Sequence, residues 1–88
     1  MREPNLSTTE LILKFIQEEI LFGQYDEELE PDTNLLLTGL VDSLGIMRLV
    51  LHLEGELGVS IPPEDIVIEN FLTVAHMTRY LKGIREAA

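Results

Sequence analysis

The chain has 88 residues, no cysteine, and a composition of 45% hydrophobic and 25% charged residues, the profile of one small folded domain with a thin core. Sixteen Asp and Glu oppose six Lys and Arg, for a formal net charge of −10. That argues against a nucleic-acid binder, which needs basic patches against phosphates, and equally against anionic membrane surfaces. The absence of cysteine removes disulfides, thiolate metal sites and any thiol nucleophile of the chain's own. No apolar run approaches the roughly 18 residues of a membrane span. The opening Met1-Arg2-Glu3-Pro4-Asn5 leads into a polar stretch rather than the apolar region of a signal peptide. The expectation is a cytoplasmic, monomeric protein whose field steers it toward partners with basic surfaces.

Residues 1–6 read as a frayed end. Ser7-Thr8-Thr9-Glu10 fits a capping box, and Leu11, Ile12, Phe15, Ile16 and Ile20 follow at helical spacing. The pattern predicts a first helix from about Thr8 to Phe22, stopped by Gly23. Residues 23–41 have no period and carry Asp26, Glu27, Glu28, Glu30 and Asp32. Such a long connection in a small domain is usually functional or mobile. Leu35, Leu36, Leu37, Leu40 and Val41 are expected to pin its second half to the core.

A second helix is predicted from about Ser43 to Leu57, with Asp42 or Ser43 near its N-cap and Ile46, Leu49, Val50, Leu53 and Leu57 on its buried face. Gly58 ends it. Pro62-Pro63-Glu64-Asp65 reads as the start of a short third helix. Thr73 can cap a fourth, with Val74, Met77, Leu81 and Ile84 inward and Lys82 and Arg85 suited to the dipole at its end. Residues 86–88 read as frayed. The fold class is therefore all-α: one domain over 1–88, its core spanning about 8–84, built as a small four-helix bundle with a long first loop and a short third helix.

The segment Gly39-Leu40-Val41-Asp42-Ser43-Leu44 opens the second helix. A serine there projects its hydroxyl from the surface near unpaired backbone N–H groups and the positive end of the dipole. The tripeptide Asp42-Ser43-Leu44 by itself is also ordinary helix capping. A serine nucleophile would need a base in reach. His52, nine residues on, falls on the opposite side of the same helix at about 100° per residue, and His76 is distant in sequence. Nothing reads as a nucleophile elbow, so no catalytic residue is assigned. The acidic loop lacks the Gly and Glu that an EF-hand starting at Asp26 would need at its sixth and twelfth places, so no metal site is assigned either.

Gly39 to Leu44 resembles the modification motif of acyl carrier proteins, the phosphopantetheine-attachment family. Leu53-Glu54, Gly58-Val59, Ile61-Pro62, Glu64-Asp65 and Phe71-Leu72-Thr73-Val74 fall where that family places similar residues, so the resemblance spans roughly residues 8–84. It implies a carrier, not an enzyme. Ser43 would receive 4′-phosphopantetheine from coenzyme A, with acyl or aminoacyl groups then held as thioesters. Asp42 would help present the site to a phosphopantetheinyl transferase. An acyl or aminoacyl ligase and downstream acyl-transfer enzymes would be the other partners.

Leu44, Met47 and Leu51 add a second apolar stripe to the second helix. It either widens the core face or forms an exposed docking strip; with Arg48 it makes the candidate partner face, and docking is favoured. In fatty-acid carriers this helix is typically rich in acids. Here Gly45, Arg48, His52 and Gly55 interrupt that pattern. The reading is therefore a discrete carrier serving a dedicated pathway. The alternatives are a fatty-acid synthase carrier and an unmodified acidic helical adaptor for a basic protein partner.

Overall fold

The computed structural model describes residues 7–25 and 28–87, with side chains through Arg85. The fraying expected of residues 1–6 and 88, and two members of the acidic loop, Asp26 and Glu27, lie outside the described residues. Among those described there are helices and turns and no strand.

Helix α1, Thr8–Phe15, starts where the capping box predicts. The Ser7 Oγ accepts from the Glu10 N–H at 3.1 Å, and the Ser7 N–H donates to Glu10 Oε1 at 3.0 Å. Beyond Phe15 the helix is not the plain α-helix expected to Phe22. It widens into a π-turn over Ile16–Ile20, closed by the Leu21 N–H on the Ile16 carbonyl at 2.8 Å. The reason lies in the apolar spacing. Ile16, Ile20 and Leu21 stand at i, i+4 and i+5, which one wide turn brings to the same side. Ile16 is fully buried, and Ile20 and Leu21 pack on the core.

The long loop is fastened rather than loose. Leu29, Leu35 and Val41 are buried, and Leu36 and Leu40 pack against them. The Leu35 N–H donates to the Leu72 carbonyl and the Ala75 N–H to the Pro31 carbonyl, both at 2.9 Å. Leu37 departs from the expectation and is 70% exposed. The Asn34 side chain accepts from the Leu37 N–H, the Thr38 hydroxyl donates to the Asn34 carbonyl, and the resulting turn carries Leu37 outward.

Helix α2 runs Ser43–Leu57, the span read from its period. Asp42 is its N-cap, accepting from the Gly45 N–H at 2.8 Å, and Gly58 ends it in the left-handed region at φ 66. Ile46, Leu49, Val50 and Leu53 are buried. The third helix is two pieces. A 3-10 turn over Pro63–Asp65 is followed by a four-residue helix α3, Ile68–Phe71, with Val67 extended between them. The side chain of Asn70 donates to the Asp65 carbonyl and stitches the two together, and Phe71 anchors them in the core. Helix α4, Val74–Ala87, takes its cap from Thr73, whose Oγ1 accepts the His76 N–H at 3.1 Å. It continues two residues into the stretch expected to fray.

One polar contact ties the third-helix region to α4. The Tyr80 hydroxyl donates to Asp65 Oδ2 at 2.6 Å, and the ring leans on Phe71 with centroids 5.9 Å apart. Burial, then the bond to Asp65 and the negative charges of Asp65 and Glu64, hold the phenol well above its ordinary range. A folded value above the unfolded 10.0 means that the stability it contributes is whole below that pH. The contribution declines as pH rises further, because the unfolded chain ionises first.

Two predictions follow from this packing. A Cβ on Gly45 would sit 3.0 Å from Val41 Cγ1 and 3.3 Å from Ile20 Cγ2, whereas Gly55 has nothing within 4 Å. Gly45→Leu should therefore cost about 1–3 kcal/mol by overpacking, while Gly55→Ala should stabilise by about 1 kcal/mol. Melting curves should move in opposite directions, by roughly 4–8 °C per kcal/mol for a domain of this size. Tyr80→Phe should cost about 1 kcal/mol, the ordinary worth of one such hydrogen bond. In a Tyr25→Phe background, absorbance titration should find the Tyr80 phenol ionising above the usual range, and Asp65→Asn should bring it down.

Candidate functional site

Ser43 occupies the first turn of α2, and its placement is set by its neighbours. Val41 is buried at 2% exposure and Asp42 adopts the extended conformation of an N-cap, so the chain turns from core to helix start within two residues. Asp42 uses its side chain on the Gly45 N–H and its carbonyl on the Ile46 N–H. The first-turn amides of Ser43 and Leu44 are left without a partner among the described residues. Ser43 itself is exposed, and its hydroxyl enters none of the hydrogen bonds among those residues. An accessible hydroxyl, two free N–H donors and the positive end of a fifteen-residue helix together fit a covalently attached phosphate.

Beside Ser43 lies a groove of about 460 Å³. Its floor is Ile46 and Phe71, one wall is the loop from Leu36 to Val41, and the other is Ile66, Val67 and Ile68. Val67 and Ile68 are 39% and 53% exposed. The sequence reading gave this second wall no role. The signal was there, as three consecutive branched apolar residues between Asp65 and Glu69 that fit no buried face. Tyr80 and Asn70 both bond to Asp65 and so hold this wall from behind.

The second apolar stripe of α2 is solvent-facing. Leu44 and Leu51 are 70% and 66% exposed and Met47 is 46% exposed, so these residues do not widen the core face. Arg48 is exposed among them, and Met47 also borders the groove. The two histidines are engaged elsewhere. His52 stacks on Phe15 with ring centroids 4.2 Å apart, and His76 Nδ1 pairs with Thr73 Oγ1 at 2.6 Å. Neither lines the groove at Ser43, and the described residues bring no base to that hydroxyl.

This arrangement suits a serine that is acted upon better than one that acts. No helix among the described residues is long and apolar enough to cross a membrane. The family model described as the phosphopantetheine attachment site matches residues 21–81. The match runs from the end of the first helical segment, through Ser43 and the groove, into α4. The chain belongs to the phosphopantetheine-attachment family, whose members are carriers of covalently held 4′-phosphopantetheine and not enzymes.

Proposed function

We propose that the chain is a discrete cytoplasmic carrier of acyl or aminoacyl groups for a dedicated biosynthetic pathway, with Ser43 as the attachment residue. The observation that carries this reading is the exposed, unengaged hydroxyl of Ser43 at the head of α2, next to two free backbone amides. The bound group supplies the terminal thiol that a cysteine-free chain lacks, and with it a thioester link to cargo. Ser43 provides the oxygen for the phosphodiester. The Ser43 and Leu44 amides favour its negative charge. Asp42 fixes the turn that exposes the hydroxyl, and its carboxylate stands beside it for a transferase to use. The apolar groove supports a cargo that can rest part of a hydrocarbon chain on Ile46 and Phe71.

Leu44, Met47, Arg48 and Leu51 form the partner face in this reading. Their exposure supports it, because isolated apolar side chains are common on surfaces but a contiguous strip beside a functional residue is not. Arg48 is the sole cation on α2 and has no acid three or four residues away, so no partner on its own helix offsets it. That favours a loading ligase of its own over enzymes with basic docking patches.

Co-expression with a broad-range phosphopantetheinyl transferase, read by intact mass, tests the assignment. Wild type should gain one arm and Ser43→Ala none, with stability changed by no more than about 0.5 kcal/mol, as for surface changes generally. Wild type that stays unmodified, or arm addition to the Ala variant, would sink the assignment. For the partner face, Leu51→Glu and Met47→Glu should slow transfer from the loading enzyme while the melting temperature stays near wild type. Arg48→Glu should improve acceptance by fatty-acid enzymes at the expense of that ligase; unchanged acceptance would reduce Arg48 to a solvated charge.

A further inference from the structure

Phe22 is the one described residue other than glycine with positive φ, at 55, and it is also 66% exposed. Both properties are unfavourable. The left-handed region crowds the Cβ of a bulky L-residue, and an exposed ring returns little burial. The geometry is enforced by the Gly23 N–H on the Gln17 carbonyl at 2.9 Å and the Gln24 N–H on the Leu21 carbonyl at 3.0 Å. Gly or Asn would satisfy the same turn without crowding. A residue that strains the backbone and packs on little is the kind of position where function is to be sought.

Its place in the fold says which function. The first helical segment lies against α2 with Phe15 over His52 and Ile20 against Gly45. Moving from Phe15 to Ile20 therefore moves toward the Ser43 end, and Phe22 follows two residues later. At about 100° per residue, Arg48 falls on α2 between the side bearing Gly45 and His52 and the stripe of Leu44 and Leu51. Phe22 thus stands at the end of the first helical segment that lies nearest the head of α2, and Arg48 lies on the flank of α2 between that segment and the exposed apolar strip.

We propose that Phe22 is an anchor of the surface on which the enzymes acting at Ser43 seat, its ring entering an apolar pocket whose rim sets a carboxylate against Arg48. This rests on the carrier reading above and extends its docking face from α2 to the end of the first helical segment. Exposed aromatics at interfaces contribute a large share of binding when a pocket receives them, and the positive charge of Arg48 on a chain of net charge −10 selects an acidic rim at this one place.

The test measures arm addition by a broad-range phosphopantetheinyl transferase and coenzyme A under steady-state conditions. Phe22→Asn and Phe22→Gly should lower kcat/KM at least tenfold, through KM rather than kcat, while the melting temperature rises or holds. Phe22→Leu should keep most of the wild-type value. A wild-type kcat/KM in the Asn and Gly variants would overturn the proposal, as would a melting temperature lowered by several degrees, which would make Phe22 a packing residue. A wild-type dimer in sedimentation that Phe22→Asn abolishes would also overturn it, by identifying a second copy as the occupant. Folded wild type that takes no arm would overturn the carrier reading and this proposal together, an outcome distinct from failure at Phe22 alone.

Discussion

The close approach at Gly45 is the constraint on which the rest depends. Three groups converge there: Val41 from the end of the loop, Ile20 from the π-turn, and the capping carboxylate of Asp42, which lies 3.4 Å from the position a Cβ would take. Because glycine leaves that space, the first helical segment can lie against the head of α2 while Asp42 still reaches the Gly45 amide. The cap, the turn that exposes Ser43 and the wide turn of the first segment are thus parts of one packing solution. A side chain at 45 would force one of them to move, since interiors packed to crystal-like density have little slack.

The groove wall is built by a different means. The 3-10 turn and the four-residue α3 are too short to hold themselves. Phe71 in the core and the bonds of Tyr80 and Asn70 to Asp65 do the holding. The α2 side is held by close packing around its cap, and the opposite wall by one core anchor, Phe71, together with polar contacts to Asp65. The polar contacts are more readily loosened, because each such bond has a modest net worth.

Much of this was legible in the residues. The period of Ile46, Leu49, Val50 and Leu53 placed α2 at about its observed bounds, with Gly58 marking its end; between Asp42 and Ser43 as cap, the bond from the Gly45 N–H to Asp42 decides. The capping boundaries at Ser7 and Thr73 were equally plain, since each rests on side-chain chemistry within three residues. The π-turn was not, because i, i+4 and i+5 spacing at Ile16, Ile20 and Leu21 also satisfies an α-helix read with some tolerance. Leu37 looked like its leucine neighbours, and only the hydrogen bonding of Asn34 and Thr38 turns it out. The groove wall and Phe22 escaped for a shared reason. The run Ile66, Val67 and Ile68 and the exposed ring of Phe22 are visible locally, but what each faces is decided by elements distant in the chain.

The two backbone bonds that fasten the loop, from Leu35 to Leu72 and from Ala75 to Pro31, bear on the order of synthesis. Both join the region ahead of α2 to the junction that opens α4, and the core cluster containing Ile46, Leu49 and Leu53 is completed by Val74, Met77 and Leu81. A nascent chain that has just emitted Ser43 from the ribosome owns neither the anchors of its loop nor the far side of its core. Contacts so separated along the sequence form late. The finished surface around the serine therefore exists only once the last helix has emerged. An enzyme that recognises that surface rather than the tripeptide meets it only after Val74, Met77 and Leu81 have joined the core.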